Sequence, residues 1–191
     1  QPRRLAARGG QRGWPHYHSA GRVKNAELNL EHRLDGAAES TQVRVCQIDS
    51  KDLVDFDATT FSNINRGTVV VKGIEPTLKV RIADRLRTQL GLTLLDIKEK
   101  DGLSPLRNRP EKKATASVVW DIDDRSSLFA VASYTGRFLD RSNPTGDVFL
   151  PGFTTVDMAY SIRFGKLRTK LAVDNLLNRH YEQFVGFPAR D

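Results

Sequence analysis

From Val156 to Phe164 every second residue is apolar: Val156, Met158, Tyr160, Ile162 and Phe164, with Asp157, Ala159, Ser161 and Arg163 between them. After Gly165-Lys166 the pattern resumes, with Leu167, Leu171 and Val173 set against Arg168, Lys170 and Asp174. Period two is strand geometry, because successive side chains of a strand point to opposite faces. One face needs an apolar medium and the other needs water. That medium is either a protein core or a lipid bilayer, and the pattern alone leaves both open.

The same alternation recurs upstream. Residues 25–34 set Ala26, Leu28, Leu30 and Leu34 against Asn25, Glu27, Asn29, Glu31 and Arg33. Asp35-Gly36 opens a turn. A second strand is expected over about 41–49, then a long polar connection from Ser50 to Asn63. A third runs from Ile64 to Ile82, with Val70, Ile74, Leu78, Val80 and Ile82 on one face, and Ala83-Asp84 turns it into a fourth over 86–97. Residues 98–110 form a second long connection. The fifth and sixth strands, 111–120 and 126–138, flank a short polar turn holding Asp121, Asp123 and Asp124. Residues 139–152 form a third long connection, ahead of the two strands quoted first.

Two features favour lipid. Several of these strands are ten residues or longer, against ~5–6 in soluble sheets and ~9–11 for a tilted membrane strand. The connections also alternate short and long, as in membrane barrels with tight periplasmic turns and extended outer loops. Oriented this way, Trp120 and Phe164 fall at short-turn ends, and Tyr134 and Phe138 at a long-loop end, all on the apolar face; such a placement predicts aromatic girdles. The fold expected is all-β: an antiparallel up-and-down transmembrane β-barrel segment of about eight long strands. The first and eighth strands both have their free ends outside. An incomplete barrel follows, with a further strand expected before residue 25 and another after Asp191.

Composition changes this picture little. No run approaches the ~18 apolar residues of a membrane helix, and no apolar leader follows Gln1. The net charge of +7 invites a nucleic-acid reading. However, residues 1–24 hold Arg3, Arg4, Arg8, Arg12, Arg22 and Lys24 with no acid, which leaves 24 basic against 23 acidic groups elsewhere. Residues 1–24 therefore read as a basic Gly/Arg-rich loop or disordered segment, and 25–191 as a charge-balanced barrel segment. The lone Cys46 rules out an internal disulfide and reads as a packed thiol.

No catalytic constellation stands out, and no cofactor is expected. His16 and His18 flank Tyr17 at a spacing that can ligate metal, but without carboxylate or cysteine support an ordinary loop is the plainer reading. Asp55 and Asp57 fit either calcium or a polar turn.

Four segments carry a family resemblance. Val71-Lys72-Gly73-Ile74-Glu75 resembles a basic-glycine-valine-glutamate strand, and Leu106-Arg107-Asn108-Arg109-Pro110-Glu111-Lys112-Lys113-Ala114 a basic-proline-basic entry into the next. Leu150-Pro151-Gly152-Phe153-Thr154-Thr155-Val156-Asp157 is similar to an "LPGYTVVD" strand start. Val173-Asp174-Asn175-Leu176-Leu177-Asn178-Arg179-His180-Tyr181-Glu182 is similar to "VDNLLDRRYE", and Gly186-Phe187-Pro188-Ala189 to the "GYPAPGR" that follows it. In this order they resemble the C-terminal barrel of TonB-dependent outer-membrane receptors, most closely the cobalamin, haem and siderophore group.

The resemblance implies a 22-stranded barrel in a Gram-negative outer membrane. It also implies a plug that receives TonB, and energised uptake of a scarce chelate through binding rather than catalysis. Outer-membrane lipid and lipopolysaccharide are the expected surroundings, and no nucleic acid is expected. Plug and final strand lie outside the resemblance. Gly73, Glu75, Pro110, Pro151, Gly152, Asp157, Asp174, Asn175, Leu176 and Tyr181 take structural roles. Arg107, Arg109, Arg137 and Arg141, in or beside the outer loops, are expected to attract an anionic chelate. Pro76 departs from the family pattern, and a bulge is expected there. The rival reading is a soluble, β-rich binding module with a basic arm for nucleic acid or another anionic surface.

Overall fold

The computed structural model describes residues 21–33, 38–57, 62–100, 106–142 and 146–189. His16, Tyr17, His18 and the Asp35-Gly36 turn lie outside the described residues. The strands are β1 (Arg22–Arg33), β2 (Ala38–Asp57), β3 (Ser62–Ala83), β4 (Leu86–Glu99), β5 (Lys112–Asp121), β6 (Ser126–Thr135), β7 (Phe138–Ser142), β8 (Gly146–Leu150), β9 (Phe153–Phe164), β10 (Leu167–Val173), β11 (Glu182–Phe184) and β12 (Phe187–Pro188). One antiparallel eight-stranded sheet runs β1-β2-β3-β4-β5-β6-β9-β10, and β7-β8 and β11-β12 are separate hairpins. Among the described residues the sheet does not close on itself, with β1 and β10 at its two edges.

Register fixes the faces. Leu28 lies opposite Val45, Val45 opposite Ile74, and Ile74 opposite Leu94. Closer to the short turns, Leu86 faces Trp120, Trp120 faces Leu128, Leu128 faces Tyr160, and Tyr160 faces Leu171. These rows make one continuous apolar surface. On β3 it runs from Ile74 to Ile82, ~27 Å at ~3.4 Å per residue; a tilt of ~40° leaves ~21 Å of height, close to the ~25 Å of a barrel's apolar band.

Nothing among the described residues covers that surface. Leu28 is 57% exposed, Leu90 45% and Leu171 68%. Among the described residues the buried apolar side chains are Val69, Phe138, Leu139, Leu150 and Ala159, too few for the core of a soluble domain. The apolar medium must come from outside the described residues, and lipid is the medium that a single-layer wall of this height fits.

The opposite face is polar. Arg44 Nε lies 3.3 Å from Glu27 and its Nη1 3.1 Å from Glu75, a three-residue ion ladder across β1, β2 and β3. Cys46 lies on this face opposite Gly73. A Cβ at Gly73 would come within 2.8 Å of Leu95 Cδ2 and 2.9 Å of Cys46 Sγ, which accounts for the glycine.

The structure corrects several expectations. Residues 50–63 are not mainly a polar connection: β2 continues to Asp57 and β3 starts at Ser62, with the ladder running from Lys51 opposite Thr68 to Asp57 opposite Ser62. A hairpin protruding into water needs backbone pairing but no apolar face, so alternation gave no sign of it. Within it Asp52 adopts φ 55°, and Asn65 Nδ2 donates to Asp52 O at 3.0 Å. At the other end of the chain, β1 begins at Arg22, so Arg22 to Lys24 belong to the wall.

Strand six stops at Thr135, and Phe138 opens β7 instead, with only 6% of its surface exposed. Trp120, Phe164 and Tyr134 remain exposed on the apolar face; Phe138 is removed from the expected outer girdle. No bulge forms at Pro76. It pairs with Val43, and on the β4 side Ile74–Leu94 is followed by Thr77–Gly91, three residues along each strand. Proline withholds a hydrogen bond, but an inserted residue would turn Leu78 and Val80 to the polar face, a larger loss.

Candidate functional site at the outer mouth

The long connections converge at one end of the wall. Pro151-Gly152 brings the chain back against β6 so closely that a Cβ at Gly152 would lie 2.9 Å from Thr135 O. Gly136 N–H donates to Lys112 O at 2.8 Å, turning the chain out of β6 into the β7-β8 hairpin. That hairpin is tied on both sides. Asn108 N–H donates to Leu139 O at 2.7 Å, and the buried Asp140 accepts from Val185 N–H at 2.7 Å. Asp140 was missed at the sequence level. The hairpin corrects the expectation that residues 139–152 form a long connection: β7 and β8 pair from Phe138 opposite Leu150 to Ser142 opposite Gly146.

The four arginines expected at the mouth separate. Arg109 and Arg137 line one cavity of about 610 Å³, together with Ile97, Glu111, Tyr134 and Phe149. The Arg137 guanidinium stands 5.5 Å from the centre of the Phe149 ring. Neither arginine has a carboxylate partner among the described residues. Arg107 instead turns inward: its Nη2 lies 3.7 Å from Asp55, and both side chains are about one-fifth exposed. Asp55 therefore faces a cation. Arg141 occupies the β7 position opposite Asp147, and its side chain, like that of Asp57, lies outside the described residues. Among the described residues no group of three or more His, Cys, Asp and Glu is placed to hold a metal.

The family-like motif residues form a clamp beside this mouth. Asp157 Oδ1 accepts from Asn175 N–H at 2.8 Å, and Leu176 N–H donates to Val156 O at 2.7 Å. Asn175 adopts φ 49°, and its side chain bridges Arg179, accepting from N–H at 2.9 Å and donating to O at 3.1 Å. Tyr181 then stacks on Phe153 with ring centres 4.0 Å apart. Asp174 sits exposed at the head of the turn, and Pro110 lies just ahead of Glu111, whose carbonyl accepts from Leu95 N–H at 2.7 Å.

The short-turn end is self-contained. Arg87 lies 2.8 Å from Asp121, Arg85 2.8 Å from Asp124, and Arg81 2.7 Å from Glu39. Asp123 accepts from the backbone N–H groups of Arg125 and Ser126, both at 2.7 Å. The Arg125 bond, with help from the Ser126 side chain and backbone, holds the Asp123 carboxyl below the ordinary carboxylate range.

A family model described as TonB dependent receptor-like, beta-barrel, matches residues 20–176. The chain belongs to this family. TonB-dependent receptor barrels lie in the outer membrane of Gram-negative bacteria, and the open sheet described above is a stretch of such a wall. Solved structures agree on the fold. The ferric-catecholate import receptor Fiu from E. coli K12 superposes with a TM-score of 0.66 at 21% identity, over 86% of this chain and 24% of its own. The siderophore receptor PirA from Acinetobacter baumannii gives 0.70 at 16% identity, over 88% and 30%. The ferripyoverdine receptor of the Pseudomonas aeruginosa outer membrane, bound to ferripyoverdine, gives 0.66 at 18%, over 87% and 25%. The chain thus spans about a quarter to a third of the length of these receptors. No curated protein matches it.

Proposed function

We propose that this segment supplies part of the wall and outer mouth of a receptor that takes up a ferric chelate across the outer membrane. TonB drives that uptake through a plug domain elsewhere in the receptor. The work is binding and transport, not chemistry on the cargo. The observation that carries the reading is the pairing of Arg109 and Arg137 in one cavity at the mouth, beside the Phe149 ring; Glu99 and Glu111 share the lining, but neither guanidinium is ion-paired to a carboxylate among the described residues. Unpaired guanidinium groups next to an aromatic surface suit an anionic chelate with aromatic character. Names of the related structures add weight: they include a ferric-catecholate import receptor, a ferripyoverdine receptor and a ferric enterobactin receptor. We therefore place a ferric siderophore ahead of haem and cobalamin. The apolar face meets outer-membrane lipid, and lipopolysaccharide surrounds the outer rim.

The test is equilibrium binding to the full receptor of ferric enterobactin, ferripyoverdine, haem and cobalamin. One of the ferric siderophores is expected to bind tightest. Arg109→Ala with Arg137→Ala should weaken it by about tenfold or more, as loss of charge-assisted contacts predicts. Tightest binding of cobalamin, or an unchanged affinity in the double variant, contradicts the proposal.

A further inference from the structure

The β7-β8 hairpin stands outside the eight-stranded sheet, and the wall closes beneath it. Thr135, the last residue of β6, pairs directly with Phe153, the first of β9. Beyond Gly136, whose N–H reaches Lys112 O, the hairpin takes no part in the wall's ladder. That ladder therefore does not fix where the hairpin sits. Yet the hairpin carries part of the mouth. Arg137 lies at its root, and Phe149 lies on β8 opposite Leu139. Both line the cavity that also holds Arg109. Any shift of the hairpin moves Arg137 and Phe149 relative to Arg109.

Two kinds of contact hold it. Phe138, Leu139 and Leu150 are buried, but apolar packing is non-directional and leaves the hairpin's angle open. Hydrogen bonds are directional, and two adjacent residues of β7 make them. Leu139 O accepts from the N–H of Asn108, the residue before Arg109. Asp140 is 4% exposed, the one buried charged side chain among the described residues. Taking a carboxylate out of water is costly unless hydrogen bonds replace the water. Its Oδ2 accepts from Val185 N–H at 2.7 Å, 45 residues further on, in the turn between β11 and β12. No cation is paired with it among the described residues. Asp140 itself is not in the cavity lining.

We propose that Asp140 is a positioning residue for the chelate site. Its bond to Val185 sets the β7-β8 hairpin so that Arg137 and Phe149 stand beside Arg109 before the cargo arrives. This rests on the reading of that cavity as the chelate site. Groups ordered in advance bind more tightly, because less freedom is lost on binding. Asp140 touches no cargo. What it supplies is an acceptor oxygen at one place, facing a backbone donor. An asparagine side chain offers the same oxygen, and alanine offers none.

The test uses the full receptor and equilibrium binding of ferric enterobactin and ferripyoverdine, with the tighter of the two carried through. Asp140→Ala should weaken binding by about tenfold, in line with the loss of one charge-assisted bond. Asp140→Asn should stay within about threefold of the wild type, since it keeps the acceptor. In a background of Arg137→Ala and Phe149→Ala, the further loss on Asp140→Ala should be below about twofold, because the groups it positions are gone. Hydrogen exchange adds a readout that needs no cargo: the Val185 amide should exchange about tenfold or more faster in Asp140→Ala.

Unchanged binding in Asp140→Ala overturns the proposal. So does a full loss in Asp140→Asn, or an undiminished loss in the Arg137→Ala and Phe149→Ala background. An unaltered Val185 amide is equally contrary. Heat-modifiable migration checks that each barrel is folded. If Asp140→Ala does not fold, Val185→Pro removes the donor and leaves the carboxylate; it should weaken binding by a similar factor, and no loss is contrary. Failure of the site reading looks different. Binding of neither chelate, or unchanged binding after Arg109→Ala with Arg137→Ala, sinks that reading and the positioning role with it. A loss in that pair without a loss in Asp140→Ala sinks only the positioning role.

Discussion

The two ends of the wall handle charge differently. At the short-turn end Arg81, Arg85 and Arg87 each lie within 2.8 Å of a carboxylate, from Glu39, Asp124 and Asp121. At the outer end Lys72 and Lys100 on the outward face, and Arg109 and Arg137 at the mouth, have no such partner among the described residues. Exposed ion pairs stabilise a fold by only ~0.2–1 kcal/mol each, so stability does not explain the contrast. Accessible partners do. The inner end pairs the three arginines of β3, β4 and their turn within the protein, whereas the outer end leaves Lys72, Lys100, Arg109 and Arg137 open to whatever meets them.

That comparison presumes that the band between the two ends lies in hydrocarbon. The strongest attack on it is a charge in mid-band. Leu78, Leu90, Ala116, Ala132 and Val156 form one cross-strand row at that level. Ala132→Arg should cost ~2–4 kcal/mol, the usual penalty at a bilayer midplane, while Ser133→Arg on the polar face should cost far less. Urea unfolding of the receptor in lipid vesicles measures both. Equal costs would break the two-faced wall.

A smaller effect sharpens the account of the outer end. Asp157 fastens the turn after β10 through the Asn175 N–H, a charge-assisted bond from a part-buried acceptor. Asp157→Ala should destabilise by about 1.5–3 kcal/mol and speed proteolysis around residues 174–181. Unchanged protease resistance would show that the clamp is not needed.

The smallest effect belongs to the short-turn end. The Asp123 carboxyl titrates below its ordinary range because backbone N–H groups hold the ionised form. A depressed folded pKa stabilises above the unfolded value of ~3.9 and loses that contribution as pH falls through the folded value. Asp123→Ala should therefore lower the urea midpoint at pH 7, and the gap should shrink towards pH 3. A gap that widens in acid has the wrong sign.

Much of this was legible in the sequence, for a physical reason. Wherever a strand divides hydrocarbon from water, as at Ile74, Leu78, Val80 and Ile82 or at Val156 to Phe164, the medium enforces period two. Beyond the membrane nothing does. The extension of β2 to Asp57 was missed because no hydrocarbon imposes alternation on it; what it packs instead is polar, Asp55 against Arg107. Phe138 was assigned outward because an unbroken alternation was carried past Gly136, where the backbone leaves the sheet. Pro76 was over-read: a lost donor disturbs a ladder, but keeping every later side chain on its own face matters more.

At the mouth, the sequence offered four arginines but not their partners. Only the fold shows Arg107 turned onto Asp55 while Arg109 and Arg137 share a cavity. The cations at the outer edge of the apolar face were hidden for a related reason. Arg22 and Lys24 were grouped with a basic tail, and Lys51 and Lys100 with loops. Register brings them together across strands far apart in sequence.

The most direct test of the membrane wall is accessibility along β6. Spin labels placed singly from Leu128 to Tyr134 in the receptor, reconstituted in lipid, report collisions with oxygen from the bilayer and with a water-soluble nickel chelate. The account predicts strict alternation. Positions 128, 130, 132 and 134 should favour oxygen, and 129, 131 and 133 the nickel chelate. Uniform access to the nickel reagent at all seven positions would mean that the apolar face does not meet lipid, and would contradict the account.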